Sequence, residues 1–419
     1  MEWKERSLNS LCCHIKNGAS IKQRKGATGL PVTRIQTISS GEIDPEKFGY
    51  ADIDDNTYAR WYLENGDILF SHINSEQHIG KVALYTGAPA PLIHGMNLLC
   101  LRPKKDHVFP KWLLYMLRSE DFRALLPPIT KRAVNQASIS TTNLKRLPVR
   151  LPPPSEQRRI VEILDQADAL RKKRAEADKI ADRILPALFY KMFGDPATNP
   201  KGWEIVAFSK ACESRLGKML DAKQQTGEHR RPYLRNANVL WGRFDLSNML
   251  EMDFNPKDRK EFALRGGDLL ICEGGEVGRC AIWRDELPEC YFQKALHRGR
   301  PIAGKATAEY LQQLLWELAK HGGLCDATSH ATISHLTGVK LKRLLIPLPP
   351  FELQEEFALR VASATKIIHG RAAAASKIHT LFDVLLHRAF SGDLTAKWRE
   401  AHMKELLQEM EQQAKALEA

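Results

Sequence analysis

The chain has 419 residues, 43% hydrophobic and 27% charged, a balance typical of a folded protein with two or three domains. It contains no run of about 18 apolar residues, and its first residues place no basic segment ahead of an apolar one. We therefore expect neither a membrane-spanning segment nor a signal peptide.

The net charge of +12 is concentrated in two separate blocks. Residues 1–153 hold 21 basic and 14 acidic residues, and residues 196–350 hold 23 basic and 18 acidic residues. A positive field localised in this way favours a polyanionic partner, most simply nucleic acid. Charge alone leaves the question open, because many basic proteins bind no nucleic acid.

The eight cysteines and fourteen histidines show no metal-ligand pattern. No two cysteines have the CxxC spacing, and no HExxH sequence is present. We therefore expect free thiols, no metal site and no cofactor bound by this chain.

The first predicted unit, residues 1–153, is a mixed block of strands and helices. PVTRIQTI at 31–38 and DILFSHI at 67–73 predict strands, because β-branched residues lie there between turn residues. WLLYMLRSEDFRALL at 112–126 has the apolar spacing of a helix. The block ends in LKRLPVRLPPPSEQ at 144–157, whose prolines suit the first turn of a following helix.

A long spacer helix is predicted over residues 154–195. Mostly apolar residues recur there at heptad spacing in one row: Ile160, Ala167, Arg174 and Ala181. The companion row is Ile163, Leu170, Ala177 and Ile184. Heptads of this kind indicate a coiled coil. Pro186 should bend or end the helix, which would then measure about 45 Å.

Residues 196–350 repeat the first block with a shift of about 200. LKRLLIPLPPFELQ at 341–354 matches 144–157, with Leu353 where the first copy has Glu156. Further pairs at nearly the same shift are Arg34 with Arg235, Gly66-Asp67 with Gly267-Asp268, and GKVALY at 80–85 with GRCAIW at 278–283. Such a repeat indicates two copies of one structural unit.

The second copy has its own predicted strand and helices. DLLICE at 268–273 predicts a strand, and EYLQQLLWELAKHG at 309–322 predicts a helix. A second long helix follows over 351–394, before a helical tail over 395–419. Its heptad row is Phe357, Ala364, Arg371 and Ile378.

Equivalent heptad rows favour pairing of the two long helices with each other. In that arrangement Arg174 and Arg371 would meet near the middle. The alternative is that each helix packs only on its own block.

These features together resemble the specificity subunit of type I restriction–modification enzymes. The doubled LxRLxxxLPPxxEQ junctions, the second reading LPPFELQ, are each followed by a long helix that ends near FxGD. SGDLT at 391–395 and WRE at 398–400 resemble the C terminus of that family. The resemblance covers nearly the whole chain. It implies an α+β protein with two target-recognition domains in pseudo-twofold repeat, joined by two long helices that form an antiparallel coiled coil.

The resemblance also implies a function. Each domain would read one half of a split, asymmetric DNA sequence, while the helices set the unread gap and dock two copies of a methyltransferase subunit. Whether motor-nuclease restriction subunits also join stays open. S-adenosylmethionine, ATP and Mg²⁺ would belong to those partners, and this chain would be non-catalytic, in the cytoplasm of a bacterium or archaeon. Leu353 in place of Glu156 puts the symmetry of docking in question.

Basic loops at matching places in the two blocks are the first candidates for DNA contact. Those of the first block are Lys22, Arg24, Lys25 and Arg34; those of the second are Lys218, Lys223, Arg230, Arg231 and Arg235. Arginine can bridge guanine O6 and N7, and lysine can neutralise phosphate. The alternative is an ordinary solvated loop.

Two further segments are candidates. One contains Lys131, Arg132, Asn135 and Gln136, and TSHATISH at 328–335 matches it loosely. Asparagine and glutamine can pair with adenine, although they are also ordinary turn residues. The other is GGEVGR at 274–279 with residues 75–78, where glycine lets the backbone approach a ligand or simply makes a turn.

Enzymatic motifs are not found. The sequence has no GxxxxGK[ST], no GxSxG and no GxGxxG that opens a helix after a strand, and leucine precedes each Pro-Pro where DNA amino-methyltransferases have Asn or Asp. Two other functions stay open: a targeting subunit of another phage-defence system on the same frame, and a protein–protein scaffold. DNA binding would be distinguished from the scaffold by its steep dependence on salt.

Overall fold

A computed structural model of the chain describes residues 2–23, 28–53, 57–134, 136–181, 183–221, 225–324 and 335–418, without the side chains of 366–373, 375 and 418. It confirms the predicted mixture of helices and sheets. The described chain divides into two compact units. Unit 1 consists of Met1–Arg174 with Ala375–Ala419, and unit 2 consists of Ala175–Ala374.

Among the described residues, the first half of the chain forms eleven strands and five α-helices. The strands are β1 Lys4–Ser7, β2 Cys12–Asn17, β3 Leu30–Val32, β4 Gly49–Ala51, β5 Ile68–Phe70, β6 Ile73–Asn74, β7 Val82–Leu84, β8 Leu99–Pro103, β9 Thr130–Ala133, β10 Gln136–Ile139 and β11 Pro148–Leu151. The helices are α1 Pro110–Arg118, α2 Glu120–Ala124, α3 Thr141–Lys145, α4 Pro154–Ala181 and α5 Ile184–Phe193.

The second half follows a similar order. Its strands are β12 Glu204–Ala207, β13 Cys212–Leu216, β14 Arg230–Leu234, β15 Val239–Leu240, β16 Arg243–Phe244, β17 Leu250–Asp253, β18 Leu269–Cys272, β19 Cys280–Ile282, β20 Tyr291–Phe292, β21 Leu296–Pro301 and β22 Leu345–Leu348. Its helices are α6 Pro256–Phe262, α7 Ala308–Lys320, α8 Gly338–Arg343, α9 Phe351–Ser391, α10 Ala396–Ala401 and α11 Met403–Glu418.

Unit 1 is built on a four-stranded antiparallel sheet in the order β2-β8-β5-β7. All three residues of β5 are buried. Because successive side chains of a strand point to opposite faces, Ile68 and Phe70 enter the core that contains α1, whereas Leu69 enters a second core with Tyr85 and Leu92. Both faces of this sheet are therefore covered by apolar residues.

Unit 2 repeats this sheet in the order β13-β21-β18-β19. Leu269 and Ile271 of β18 enter the core that contains α7, while Leu270 and Cys272 enter the core on the other face. The strand predicted over 268–273 and the helix predicted over 309–322 are confirmed.

One predicted strand is shorter than its sequence indicated. The run 31–38 is extended only as far as Val32, and residues Ile35–Ile38 form a 3-10 helix. The Arg34 N–H donates to Thr37 Oγ1 at 2.8 Å, and the Thr37 N–H donates to the Arg34 carbonyl at 3.0 Å. These local hydrogen bonds use the backbone N–H groups that a longer strand would have donated to a neighbouring strand.

The repeat preserves a buried ion pair in each unit. Gly66 and Gly267 adopt positive φ, 96° and 90°, immediately before Asp67 and Asp268. In unit 1 the Arg102 Nε and Nη2 groups donate to the two Asp67 oxygens at 2.8 and 2.7 Å. In unit 2 the same atoms of Arg300 donate to Asp268 at 2.7 and 2.8 Å. A bidentate pair fixes both orientation and distance, so each pair gives the sheet of its own unit the same local geometry.

Each junction before a long helix is also secured in the same way. The Gln157 side chain accepts from the Phe109 N–H at 2.7 Å and donates to the carbonyls of His107 and Pro152, both at 2.9 Å. The Gln354 side chain accepts from the Thr307 N–H at 3.1 Å and donates to the Lys305 and Pro349 carbonyls at 3.1 and 2.8 Å. The LPP junction therefore positions the helix that follows it relative to the block that precedes it.

Within unit 1, Glu156 at the start of α4 binds the C-terminal tail, and its side chain is fully buried. Its carboxylate accepts from Trp3 Nε1 at 3.0 Å and from Thr395 Oγ1 at 2.6 Å, and the Arg399 guanidinium lies 2.8 Å away. The Ser155 N–H donates to Glu409 of α11 at 2.9 Å. Leu353, at the equivalent place in unit 2, instead packs against an apolar core.

The start of α4 and the end of α9 share one core in unit 1, where they run in opposite directions. Ile160 and Ala167 of the first predicted row are buried there, whereas Leu170 of the companion row is 56% exposed. The companion positions that face inward are shifted by one residue, to Leu164 and to Arg171, whose guanidinium lies 4.3 Å from the centre of the Phe382 ring. Residues on the same apolar stripe at i, i+4 and i+7 produce this pattern.

In unit 2, α5 and the start of α9 share a core. The Phe189 and Phe193 rings lie 5.9 and 5.2 Å from that of Phe357. Pro186 falls in the first turn of α5, where its missing N–H costs no helical hydrogen bond. Of the remaining predicted seam residues, Ala181 is buried, Arg174, Ala364 and Ile378 are half-buried, and the side chain of Arg371 lies outside the described residues. The mutual coiled coil stays a prediction.

Candidate DNA interface

The basic loop of unit 1 contains one exposed and one anchored cation among the described residues. Lys22 is exposed. Arg34 is half-buried at the start of the 3-10 helix, and its Nε donates to Gln23 Oε1 at 2.7 Å. This hydrogen bond fixes the plane of the guanidinium beside β3. Arg24 and Lys25 lie outside the described residues.

The matching loop of unit 2 is organised by Asp253 at the end of β17. Its carboxylate accepts from the Gly227 N–H at 2.6 Å, the His229 N–H at 3.0 Å and Thr226 Oγ1 at 3.3 Å. The hydrogen bond from Gly227 is the main cause that lowers the pKa of Asp253, with His229 and Thr226 acting in the same direction. The loop is therefore folded against the sheet immediately before Arg230.

Lys218 has a structural position that argues against a DNA contact. Its Nζ donates to the Asp253 carbonyl and pairs with Asp258, both at 2.6 Å, and it lies 5.1 Å from the centre of the Phe254 ring. A half-buried ammonium with these partners would leave Asp258 uncompensated if it moved to a phosphate. The sequence could not reveal this, because the two aspartates lie 35 and 40 residues away.

The arginines of the same loop differ in how freely they can reach a ligand. Arg230 is exposed, whereas Arg231 Nε pairs with Glu289 at 3.0 Å. Arg235 opens a 3-10 helix as Arg34 does, and its N–H donates to Asn238 Oδ1 at 3.1 Å. Lys223 lies outside the described residues.

The segment around Lys131 forms a hairpin of unit 1. Strands β9 and β10 pair antiparallel, and β6 adds a third strand at the side of β10. Lys131, Arg132 and Gln136 are all exposed, and Arg132 Nη2 pairs with Glu76 at 2.7 Å. Asn135, and residues 328–334 of the loosely matching segment in unit 2, lie outside the described residues.

The glycine-rich segment 274–279 is a stabilised turn. Glu276 Oε1 accepts from Trp241 Nε1 at 2.7 Å and from Lys320 Nζ at 3.0 Å. The hydrogen bond from Trp241 is the main cause that lowers the pKa of Glu276. Arg279 Nη2 donates to the Asn236 carbonyl at 3.0 Å. These internal partners favour the structural interpretation of the segment over the ligand-binding one.

None of the helices in the described ranges has the length and apolarity needed to cross a membrane. Within those same ranges, no three histidine, cysteine or acidic side chains gather as a set of metal ligands would.

Comparison with known proteins places this architecture in a family. The model of the type I restriction modification DNA specificity domain matches residues 1–179 and again 200–371. The MjaX specificity subunit of a type I restriction enzyme from Methanocaldococcus jannaschii is 32% identical over 94% of each chain. The EcoKI specificity subunit of Escherichia coli is 25% identical over 46% of this chain and 42% of its own length.

Solved structures show the same fold. A chain from a study of assembly and conformational transition of the type I R-M system matches with a TM-score of 0.58, at 19% identity, over 94% of this chain and 98% of the other. The S subunit from M. genitalium matches with a TM-score of 0.55, at 16% identity, over 93% and 96%.

This chain therefore belongs to the type I restriction–modification DNA specificity family. It is a non-catalytic subunit that recognises DNA sequence, as the family resemblance implied.

Proposed function

We propose that unit 1 and unit 2 read the two halves of one bipartite DNA site, with block 1–153 reading one half and block 196–350 the other. The observation that carries this proposal is the bidentate Asp–Arg pair that both units contain. Asp67–Arg102 recurs as Asp268–Arg300, down to the nitrogen atoms used. Two copies of the same sheet, each held by the same ion pair, would let each unit present its loops to DNA in the same way.

The loops that these frames carry are different, which supports different half-sites. In unit 2, Asp253 folds the loop before Arg230. In unit 1, Gln23 fixes Arg34. The Asp–Arg pair and the junction glutamine are the same in both units. The cations and amides that can reach base edges differ, so the target sequence would be asymmetric.

The exposed cations and amide are the favoured contacts: Lys22, Lys131, Gln136 and Arg230. Arg132 and Arg231 are paired at the surface, and exposed ion pairs contribute only about 0–1 kcal/mol. Both could therefore exchange a carboxylate for a phosphate at little cost. Arg34 and Arg235, the half-buried pair at the 3-10 helices, would contribute through their fixed positions.

The two long helices and the partners belong to the same proposal. Paired along their lengths, α4 and α9 would set the unread gap, since about 45 Å of helix exceeds the ~34–36 Å that separates half-sites on one face of DNA. Two copies of a methyltransferase subunit would dock on this frame, with or without motor-nuclease subunits. S-adenosylmethionine, ATP and Mg²⁺ would be held by those partners, in a bacterial or archaeal cytoplasm.

Binding of the full chain to a random duplex library, followed by sequencing, tests the proposal. The expected result is one motif with two specified parts and a constant gap. Affinity should fall steeply with salt, and Lys131→Ala should reduce the slope of log affinity against log salt by about 1. Lys415→Ala, an exposed lysine of α11, is the matched control. A single continuous motif, or no selected motif, would refute the proposal.

A further inference from the structure

The tip of the β9–β10 hairpin carries an apolar side chain that the fold of unit 1 does not use. Val134 is 92% exposed, whereas Ala137 and Ile139 at the base of the hairpin are buried. An apolar side chain exposed to this degree is accessible to a ligand.

The two faces of the hairpin have different chemistry. Gln136 is the direct partner of Ala133, and Ser138 of Lys131. Because side chains alternate along a strand, these four residues share one face, and Ala137, paired with Arg132, lies on the other. Ala137 is buried, so the first face is the outer one. Its long polar side chains are Lys131 and Gln136, and the small Ala133 leaves the amide of Gln136 uncovered.

The hairpin has the size of a groove-binding element. Among the described residues, strand β6 pairs with Ala137 and Ser138, so two strands are paired at the end of the hairpin towards Val134. The major groove of DNA, about 12 Å wide, admits a two-stranded ribbon. The only apolar group that base edges present there is the methyl group of thymine. Lysine suits a phosphate at the groove wall, and glutamine suits adenine.

We propose that Val134 is a specificity-determining residue, which contacts the methyl group of a thymine in the major groove of the half-site read by unit 1. The inference rests on the proposed function and adds a contact class that charge does not supply. The hairpin then offers an apolar side chain at its tip and a cation and an amide on its outer face.

The test replaces the thymines of the selected motif one at a time by deoxyuridine, which lacks only the methyl group. For the full chain, one replacement should weaken binding by about fourfold, the value of burying one methyl group. Val134→Ser should weaken binding to the thymine duplex by a similar factor and should no longer distinguish thymine from deoxyuridine at that position. Val339→Ser changes an exposed valine of α8 in the same way and should behave as the unmodified chain.

Three results would overturn the inference. Val134→Ser could keep full discrimination at every thymine, it could weaken thymine and deoxyuridine duplexes equally, or the half-site assigned to unit 1 could contain no thymine on either strand. Failure of the proposed function is distinguishable, because the unmodified chain would then select no two-part motif. Val134 is so exposed that its replacement leaves the core intact, so loss of folding does not confuse these outcomes.

Discussion

Replacing Glu156 with leucine, the residue at the equivalent place in the second repeat, should release the C-terminal tail from the rest of unit 1. The change leaves the Arg399 guanidinium, the Thr395 hydroxyl and the Trp3 indole N–H without their shared acceptor. Removing one partner of a buried ion pair costs about 3–5 kcal/mol. Leucine adds apolar contacts, but it accepts none of the three hydrogen bonds, so we expect a net loss of at least about 3 kcal/mol.

The loss should appear locally, as faster amide hydrogen exchange in α10 and α11. Where exchange proceeds through opening of the tail, about 3 kcal/mol corresponds to an increase in rate of at least about a hundredfold. Glu162→Leu is the matched control, because it removes the same charge from the same helix at a side chain that is 61% exposed. Equal exchange in the tail of both variants would refute the role assigned to Glu156.

Three further predictions concern the loops, the helices and acid stability. Asp253→Ala should lower affinity about tenfold through one half-site only, because the loop before Arg230 loses the carboxylate that orders it. Binding measured with each half-site mutated separately would show the loss, and an equal loss through both halves would contradict it. Insertion of four residues after Ala177 should lengthen the unread gap of the selected motif or abolish binding, and an unchanged motif at full affinity would reject the helix pair as a spacer. Burial lowers the pKa of His94 to about 4, so unfolded chains take up its proton first as pH falls below about 6.5; stability should be full above that pH and fall by up to about 1.4 kcal/mol per pH unit towards pH 4. Denaturant titrations of His94→Gln should show a flatter dependence, and an unaltered pH profile would be inconsistent with a neutral buried ring.

The pattern of apolar residues in the sequence identified several strands and helices correctly. The strand over 268–273 was predictable as a short apolar run between turn residues, and the helix over 309–322 from the helical spacing of its apolar residues. The residues of α4 that face inward were harder to predict. Leu170 has the predicted period but is exposed, whereas the positions that face inward are Leu164 and Arg171. The Arg171 guanidinium lies over the Phe382 ring, so a cation takes the place of an apolar contact there.

The candidate site could be predicted as a set of loops but not residue by residue. Lys218 and Arg230 are equally basic in sequence, and only the fold brings Asp253 and Asp258 to the first and leaves the second exposed. Likewise, nothing local marks Glu156 as the anchor of the tail, since Thr395 and Arg399 lie more than 230 residues away. Long-range partners decide which charges are structural.

An exchange of recognition blocks tests the central claim most directly. Residues 1–150 are replaced by the corresponding block of a relative with a different target, and the motif selected by the full chimaeric chain is sequenced. Because each block carries its own Asp–Arg pair and its own loops, one specified part of the motif should change while the other part and the gap stay the same. If both parts change together, the two units do not read DNA independently.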